Sequence, residues 1–562
     1  MPTRQASAAA GTGYARLLLF VAGLGGLLYG TDVGIIAAAL LYLSKTISLT
    51  LAQTSLIVAA VLGGSMFGSL GAGFLADRLG RKKMMLVSGL MFIASVGVIV
   101  SAQGFVTLFL GRLLQGMSGG VVAVVAPLYL AESLSARSRG RGAALFQWML
   151  TLGILIAATI GWLYTRRAEA AIAAARGNDL LIRAAQDHAW RGMFLSIVYP
   201  GILFFLLSMG LGETPRWLFR KGRTAEARAS LLRSCAEEEA EKEMQEMEAL
   251  AFKNGGRGAA ASAGSVLRRK YVIPFLLACG ILALNQATGI NSILGFLVII
   301  LKQAGMNARH ATQGDVAVKL INCAITLIAI TLVDRKGRKY LLKIGTAGIV
   351  VALAGAAAVF WLHEWKRVDV LAQVRAAVAG DSLALPLSQL HAPAESRSTD
   401  LTVLYTYGKG DRIVTVRSDD PDPVLRIAPD PEETGSLLRI RRALYGPVAG
   451  ERSGWVTAGL LGLFISGYAI GPGVVVWLAL SELLPTRIRS VGMGVAMLVN
   501  QLVSTSSATL FLPVVGNFGY HTMFAAWAAC TVCYFLIAVF VLPETKGKTL
   551  EEIELYFEPR SA

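Results

Sequence analysis

The sequence predicts an all-α polytopic membrane protein: twelve transmembrane helices in two six-helix pseudo-repeat bundles, with a cytoplasmic helical bundle between them and a small extracytoplasmic insertion in the second. Three observations predict it. Of 562 residues, 54% are hydrophobic and only 16% charged, with a mean hydropathy of +0.58, a composition outside the range of soluble domains. Apolar stretches near the roughly 20 residues needed to cross a bilayer recur along the chain. Finally, Asp77-Arg78-Leu79-Gly80-Arg81 returns as Asp334-Arg335-Lys336-Gly337-Arg338, and Glu132 with Arg139 and Gly140 returns as Glu482 with Arg489, as expected of two halves sharing one plan. The composition excludes a large soluble enzyme.

The expected spans are 17–43, 54–76, 84–102, 106–131, 142–164, 192–212, 271–302, 314–333, 340–363, 453–481, 490–514 and 520–542. The first is too long for the apolar core of a signal peptide and is followed by further spans, so it is expected to remain in the mature protein. A formal charge of +17 invites a nucleic-acid reading, but the Lys and Arg residues fall mostly between spans and on one side. The loops 77–83, 132–141, 334–339 and 482–489 carry 4, 3, 4 and 2 of them, against 1, 1 and 0 in 44–53, 303–313 and 515–519. Basic loops stay cytoplasmic, so both termini are expected inside a plasma membrane of the bacterial inner-membrane kind. No nucleic-acid partner is expected, and the functional unit is expected to be a monomer in the lipid bilayer.

Five domains follow: an N-terminal bundle over 1–212, a cytoplasmic helical linker over 213–270, a C-terminal bundle over 271–363 and 453–542, an extracytoplasmic insertion over 364–452, and a cytoplasmic tail over 543–562. The linker holds a charged helical run at 223–253 and a Gly- and Ala-rich return at 255–264, expected to be flexible. In the insertion, alternating runs at 401–407 and 412–417 flank Gly408, Lys409, Gly410 and Asp411; this predicts a β-hairpin. An amphipathic helix is expected at 366–379. A small folded cap is favoured over a linker, and its purpose stays open between a bland insertion, an assembly surface and a lid.

Within the spans, Asp32 and Arg112 carry the most information, because an ionisable group inside the bilayer is costly and usually functional. Asp32 lies about 15 residues into its span, roughly 22 Å from one face, and Arg112 about six residues into an opposed one, roughly 9 Å from the other. In a core about 30 Å thick they share a depth. Burial raises an Asp pKa and a nearby Arg lowers it, so approach or withdrawal of Arg112 can move a proton on or off Asp32. A static pair that only orients helices is the alternative.

The loop Gly73-x-x-x-Asp77-x-x-Gly80-Arg81-Lys82 places a carboxylate at a helix end beside cations, a latch able to form and break. Lys319, about five residues from the outer end of its span, is expected to snorkel. The histidines, His188, His310, His363, His391 and His521, are scattered. Of the five cysteines, Cys530 and Cys533 make a C-x-x-C with apolar flanks, better read as small buried hydrophobes. No metal and no cofactor are expected, and no phosphate-binding G-x-x-x-x-G-K-[ST] loop is present.

On these residues the chain resembles the sugar porter family of the major facilitator superfamily. The resemblance covers all twelve spans. It rests on Gly25, Gly26, Tyr29, Gly30, Thr31 and Asp32; on the loop at 73–82; on Arg112 and Gly116; and on Pro127, Tyr129 and Glu132 with Arg139 and Gly140. Further matches are Glu213-Thr-Pro-Arg216-Trp-Leu, Gln286-x-x-Gly289-Ile290-Asn291, Gly471-Pro472-Gly473 with Trp477 and Glu482, and Pro543-Glu544-Thr545-Lys546-Gly547. The insertion has no counterpart in the common pattern.

The resemblance implies a sugar site near the midplane between the halves, with polar contacts from Gln147, Gln286, Asn291, Asn322, Trp477 and Asn500, and from Asn285, which stands where a second Gln is frequent. Amides offer donors and acceptors to vicinal hydroxyls, and an indole offers a flat face to a sugar ring. Gln501 replaces a frequent Trp, and Gly295 and Phe296 stand near frequent tyrosines. The resemblance also implies gating by Asp77, Arg81, Glu132, Arg139, Glu213, Arg216, Asp334, Arg338, Glu482 and Arg489, and it makes an acid at Asp32 the mark of proton-coupled members. The expected function is import of a monosaccharide or polyol with a proton by alternating access, not enzymatic catalysis. A passive facilitator and a non-transporting sugar sensor are the rivals.

Overall fold

A computed structural model describes residues 2–134, 136–233, 237–255, 269–390, 398–408, 410–420, 423–428, 437–473, 483–484, 489–542 and 544, with side chains for all of these except 2–12, 136–141, 143, 250, 251–255, 269–271, 334 and 489–491. Twelve of the described helical segments are long and apolar enough to cross a membrane. In order they are Gly13–Thr46, Leu51–Leu79, Arg81–Val100, Phe105–Ser133, Ala144–Ala174, Asp179–Met209, Val272–Gln303, Ala308–Val333, Arg338–Glu364, Glu451–Ile470, Gly492–Phe518 and Tyr520–Val541. Large apolar side chains such as Phe67, Leu110, Leu276, Val351 and Phe540 are exposed on their outer faces, where lipid would cover them.

The helices run longer than the hydropathy alone suggests. The fifth continues to Ala174 and the sixth begins at Asp179, capped by Asn178, whose side chain accepts from the backbone N–H groups of Leu180 and Leu181. Backbone hydrogen bonding carries a helix past the bilayer edge once a cap satisfies its first free N–H groups. The seventh span, by contrast, is two helices, Arg269–Ala287 and Ile290–Gln303. They meet at Gly289, whose φ of +83° suits glycine, and a Cβ there would lie 2.3 Å from the Trp527 ring. Gln286 and Asn291 flank this break.

Within the first half, spans one and five pack together, as do spans two and four. Glycine makes the second contact possible: a Cβ on Gly116 would lie 2.2 Å from the Val61 carbonyl oxygen, and one on Gly64 would lie 2.2 Å from that of Leu113. Backbone-to-backbone approach of this kind is how helices associate where no hydrophobic drive exists between them. The halves meet through spans two and eleven, five and eight, and one and seven.

The linker holds the helices Pro215–Arg220, Thr224–Leu232 and Glu237–Gly255, joined by a small core of Leu231, Ala240 and Met247; the stretch expected to be flexible lies almost wholly outside the described residues. The insertion is a folded cap of two antiparallel sheets. Strands β1 (Val368–Asp369), β7 (Arg439–Pro447), β4 (Thr399–Tyr407) and β5 (Gly410–Arg417) form one in that order; β2 (Val378–Ala379), β3 (Ser382–Pro386) and β6 (Val424–Ile427) form the other. Alternate side chains Leu401, Val403, Leu425, Ile427 and Tyr445 share one core.

The hairpin is present and its pairing reaches Tyr407 opposite Gly410. The helix expected at 366–379 is only one turn and a half, Leu371–Ala376, with β1 and β2 taking its ends. Pairing of Val368 with Tyr445 and of Val378 with Leu383 outcompetes the helical period there. The cap rests on both halves: Gly410 meets Thr50, the N-cap of the second span, and Arg442 donates to the carbonyls of Gly516 and Asn517 in the last turn of the eleventh.

Candidate functional site

The two charges expected at one depth do meet. Arg112 Nη1 donates to Asp32 Oδ1 at 2.8 Å and to Gln115 Oε1 at 2.7 Å, both side chains are 1% exposed, and the guanidinium lies 5.5 Å from the centre of the Phe194 ring. The pairing is single rather than forked: Asp32 Oδ2 and Arg112 Nε have no protein hydrogen-bond partner. A carboxylate gripped through one oxygen keeps the other available for a proton.

Tyr29, one helical turn before Asp32, and Val33, next to it, line a cavity of about 240 Å³ between the halves. Asp32 stands behind this wall. Gln147, Gln286, Asn291, Asn322 and Asn500 all line the cavity. Three of these form one chain of bonds: Asn291 Nδ2 donates to Gln286 Oε1 at 3.0 Å and to Ser504 Oγ at 2.8 Å, and Gln286 Nε2 donates to Asn500 Oδ1 at 3.3 Å. Asn500 Nδ2 is anchored on the Leu282 carbonyl at 3.1 Å. The helix break at Gly289 lets Gln286 and Asn291, five residues apart, face each other.

Asn285 is placed differently from the other five amides. It is fully buried but lies outside the cavity lining, since adjacent helical residues point about 100° apart and its neighbour Gln286 takes the cavity face. Trp477 lies outside the described residues. Sequence reasoning missed Tyr29, Ser65, Ser69, Thr151, Thr326 and Tyr468 as cavity residues; only Tyr29 carried a signal, one turn from Asp32 in the same motif. Gln501, noted for replacing a Trp, lines the cavity and donates to Ser65 Oγ at 3.4 Å across the halves.

Contacts between halves continue on the cap side. The Leu512 N–H donates to Ser55 Oγ at 3.1 Å, and a Cβ on Gly295 would touch Val58 at 2.8 Å. Lys319 also differs from expectation. It does not snorkel: it is 0% exposed, with Nζ bonded to Asp315 Oδ2 at 2.9 Å and to the Gly34 carbonyl at 3.1 Å. A bilayer-buried ammonium keeps its charge only with a counterion at hand, and Asp315 one turn earlier supplies it. On the cap side of the cavity the halves are thus in contact through spans one and eight, two and seven, and two and eleven.

At the opposite end, Arg81 is buried, with Nη2 on Asp77 Oδ1 at 2.8 Å and Glu132 Oε1 at 2.9 Å, and Nη1 on the Ala76 carbonyl. Glu213 accepts from the Arg81 N–H at 2.8 Å and caps the third span, a carboxylate at the positive end of a helix. Arg220 also reaches Glu132, at 3.2 Å, whereas Arg216 turns to Glu243 in the linker at 3.5 Å. In the second half Glu544 accepts from the N–H groups of Arg338 and Lys339, each at 3.2 Å. Glu544 therefore matches Glu213, a role unassigned from sequence although the motif around it was noted. Glu482 lies outside the described residues, as do the side chains of Arg139, Asp334 and Arg489.

Residues 18–379 and 448–557 match the sequence profile of a family described as sugar (and other) transporter. The chain belongs to this family. The gap in the match, 380–447, falls inside the cap. A galactose-proton symporter of Escherichia coli is 28% identical over 540 residues, covering 95% of this chain and 92% of that protein. Inositol transporter 4 of Arabidopsis thaliana is 29% identical, covering 97% and 92%. An inward-open structure of the xylose transporter XylE from E. coli superimposes with a TM-score of 0.67 at 21% identity, covering 97% of this chain and all of that one, a likeness of fold. This is a multi-pass sugar porter of the major facilitator superfamily, a transporter and not an enzyme.

Proposed function

We propose that this porter imports a small sugar or polyol together with a proton by alternating access. The observation that carries the reading is the Asp32–Arg112 pair, buried, held through a single oxygen, and standing directly behind a cavity wall of neutral hydrogen-bonding side chains. A neutral amide-lined cavity suits hydroxyls and offers no counterion to a charged substrate. Gln147, Gln286, Asn291, Asn322 and Asn500 hold the sugar. Asp32 carries the proton; Arg112 approaches to expel it and withdraws to admit it. The names of relatives, a galactose-proton symporter and inositol transporters, support hexoses and inositols as first candidates.

Basic loops at the end opposite the cap support a cytoplasmic reading of that end, with the cap outside, on the side where the halves touch through Lys319 and Ser55. The gating clusters around Arg81 and, by repeat, Arg338 hold and release the cytoplasmic end as the halves rock. The porter acts as a monomer.

The deciding experiment follows external pH in lightly buffered, de-energised cells given pulses of hexoses, pentoses and inositols. Alkalinisation with one sugar, absent in Asp32→Asn, is the expected result. Equilibration of labelled sugar without any pH change would make the protein a facilitator.

A further inference from the structure

Asp315 and Lys319 form a charged pair in the eighth span that the cycle above leaves unused. Its two bonds differ in kind. Nζ to Asp315 Oδ2, at 2.9 Å, joins residues one turn apart on one helix, so donor and counterion travel together. Nζ to the Gly34 carbonyl, at 3.1 Å, joins the two halves.

Gly34 lies two residues past Asp32, about 200° around an α-helix, so the first span is held on opposite faces. Arg112 of its own half grips one, and Lys319 of the other half grips the second. Only glycine fits at 34: a Cβ would lie 2.8 Å from the Ala157 Cβ and 2.9 Å from the Ile154 carbonyl oxygen of the fifth span.

We propose that Lys319 is the cap-side latch of the transport cycle. It is a positioning residue whose ammonium, kept charged by Asp315, closes the eighth span onto the backbone of the first beside Asp32 and lets go when the cavity opens toward the cap. Opening costs one charge-assisted hydrogen bond and leaves the counterion in place, so the bond can be made and broken in every cycle. A pair divided between the halves would instead strand two charges in the bilayer at each opening. The inference rests on alternating access and on neither the identity of the sugar nor proton coupling.

The test uses a Val58→Cys reporter in the full chain with all five native cysteines replaced, Val58 being buried against Gly295 on the closed side. Sealed right-side-out vesicles are treated with a membrane-impermeant methanethiosulfonate, with and without the sugars of the panel. Lys319→Met should raise the labelling rate at least fivefold. The charge-free double variant Asp315→Asn/Lys319→Met, which strands no charge and is first checked to elute as a single folded species, should do the same. A sugar-responsive parent beside a double variant labelling at the parent's rate overturns the latch alone. A parent reporter that no sugar changes speaks against alternating access and takes the latch with it.

Discussion

Asp32 and Arg112 sit on different helices of one half, whereas Asp315 and Lys319 sit on one helix and reach the other half with a single bond. Partners on separate helices can part, and parting changes the affinity of the carboxylate for a proton. Partners one turn apart on a helix stay within reach of each other while the bond to the far half can come and go. On the proposed cycle the first pair titrates and the second holds. A further buried pair, Arg367 Nη2 to Asp400 Oδ2 at 2.9 Å, lies in the cap, away from the membrane-spanning helices.

The sharpest way to break the contrast is Asp32→Asn. It leaves the Arg112 guanidinium buried without a counterion, a loss of about 3–5 kcal/mol for a broken buried pair, and it removes the proposed proton carrier. Accumulation driven by an imposed pH gradient in proteoliposomes should fall at least a hundredfold while sugar exchange persists. Uphill uptake at the parent level would end Asp32's role.

A smaller effect is expected at the proposed sugar contacts. Gln286→Ala removes one hydrogen-bonding side chain from the Asn291–Gln286–Asn500 chain, a change of about 1–1.5 kcal/mol, so KM should rise roughly tenfold with little change in maximal rate. Asn285→Ala, one residue away but off the cavity, should leave KM within twofold. Equal effects on KM would show that this wall does not discriminate as described.

The gating ends offer a symmetric comparison. Glu213→Gln and Glu544→Gln each weaken a carboxylate cap on a helix N-terminus, worth about 0.3–1 kcal/mol. Each should slow turnover two- to fourfold, and the two losses should multiply if the halves rock as one unit. Single variants with no effect on stopped-flow counterflow would reduce these caps to structural ones.

The smallest effect belongs to the cap. Burial pushes the Asp400 carboxyl above its usual range despite Arg367 and Arg417 nearby. The folded cap therefore binds that proton more tightly than the unfolded one, and the contribution is full below the ordinary carboxylate pKa and lost as pH rises through the raised value. Asp400→Asn should slow amide exchange at Leu401 and Val403 relative to the parent at pH 7 and match it near pH 3.5. Faster exchange at pH 7 would mean that the ion pair stabilises the cap after all.

Much of this was legible in the sequence. Hydropathy located the spans, and charge with depth located Asp32 opposite Arg112, because a bilayer penalises any ionisable group that lacks a use. The hairpin was readable from alternation around glycine. Other features left no local trace. Lys319 reads as a snorkelling lysine until the Gly34 carbonyl is placed beside it, and that meeting spans 285 residues of sequence. Asn285 and Gln286 are equivalent as letters; the kink at Gly289 and the packing of Trp527 decide which one meets the cavity.

What the sequence determined by itself is whatever depends on solvent and local period: a membrane protein with two repeated halves, the recurring charged loops between its spans and a conspicuous acid in the first span. Those properties follow from the transfer cost of each residue into lipid, which is a sum over short windows. What the tertiary structure decided is which polar groups share a cavity, which carbonyl Lys319 finds, and that Glu544 caps the second half as Glu213 caps the first. These depend on distances between helices far apart in the chain, set by close backbone packing at residues such as Gly34, Gly64 and Gly116 that no window of sequence contains.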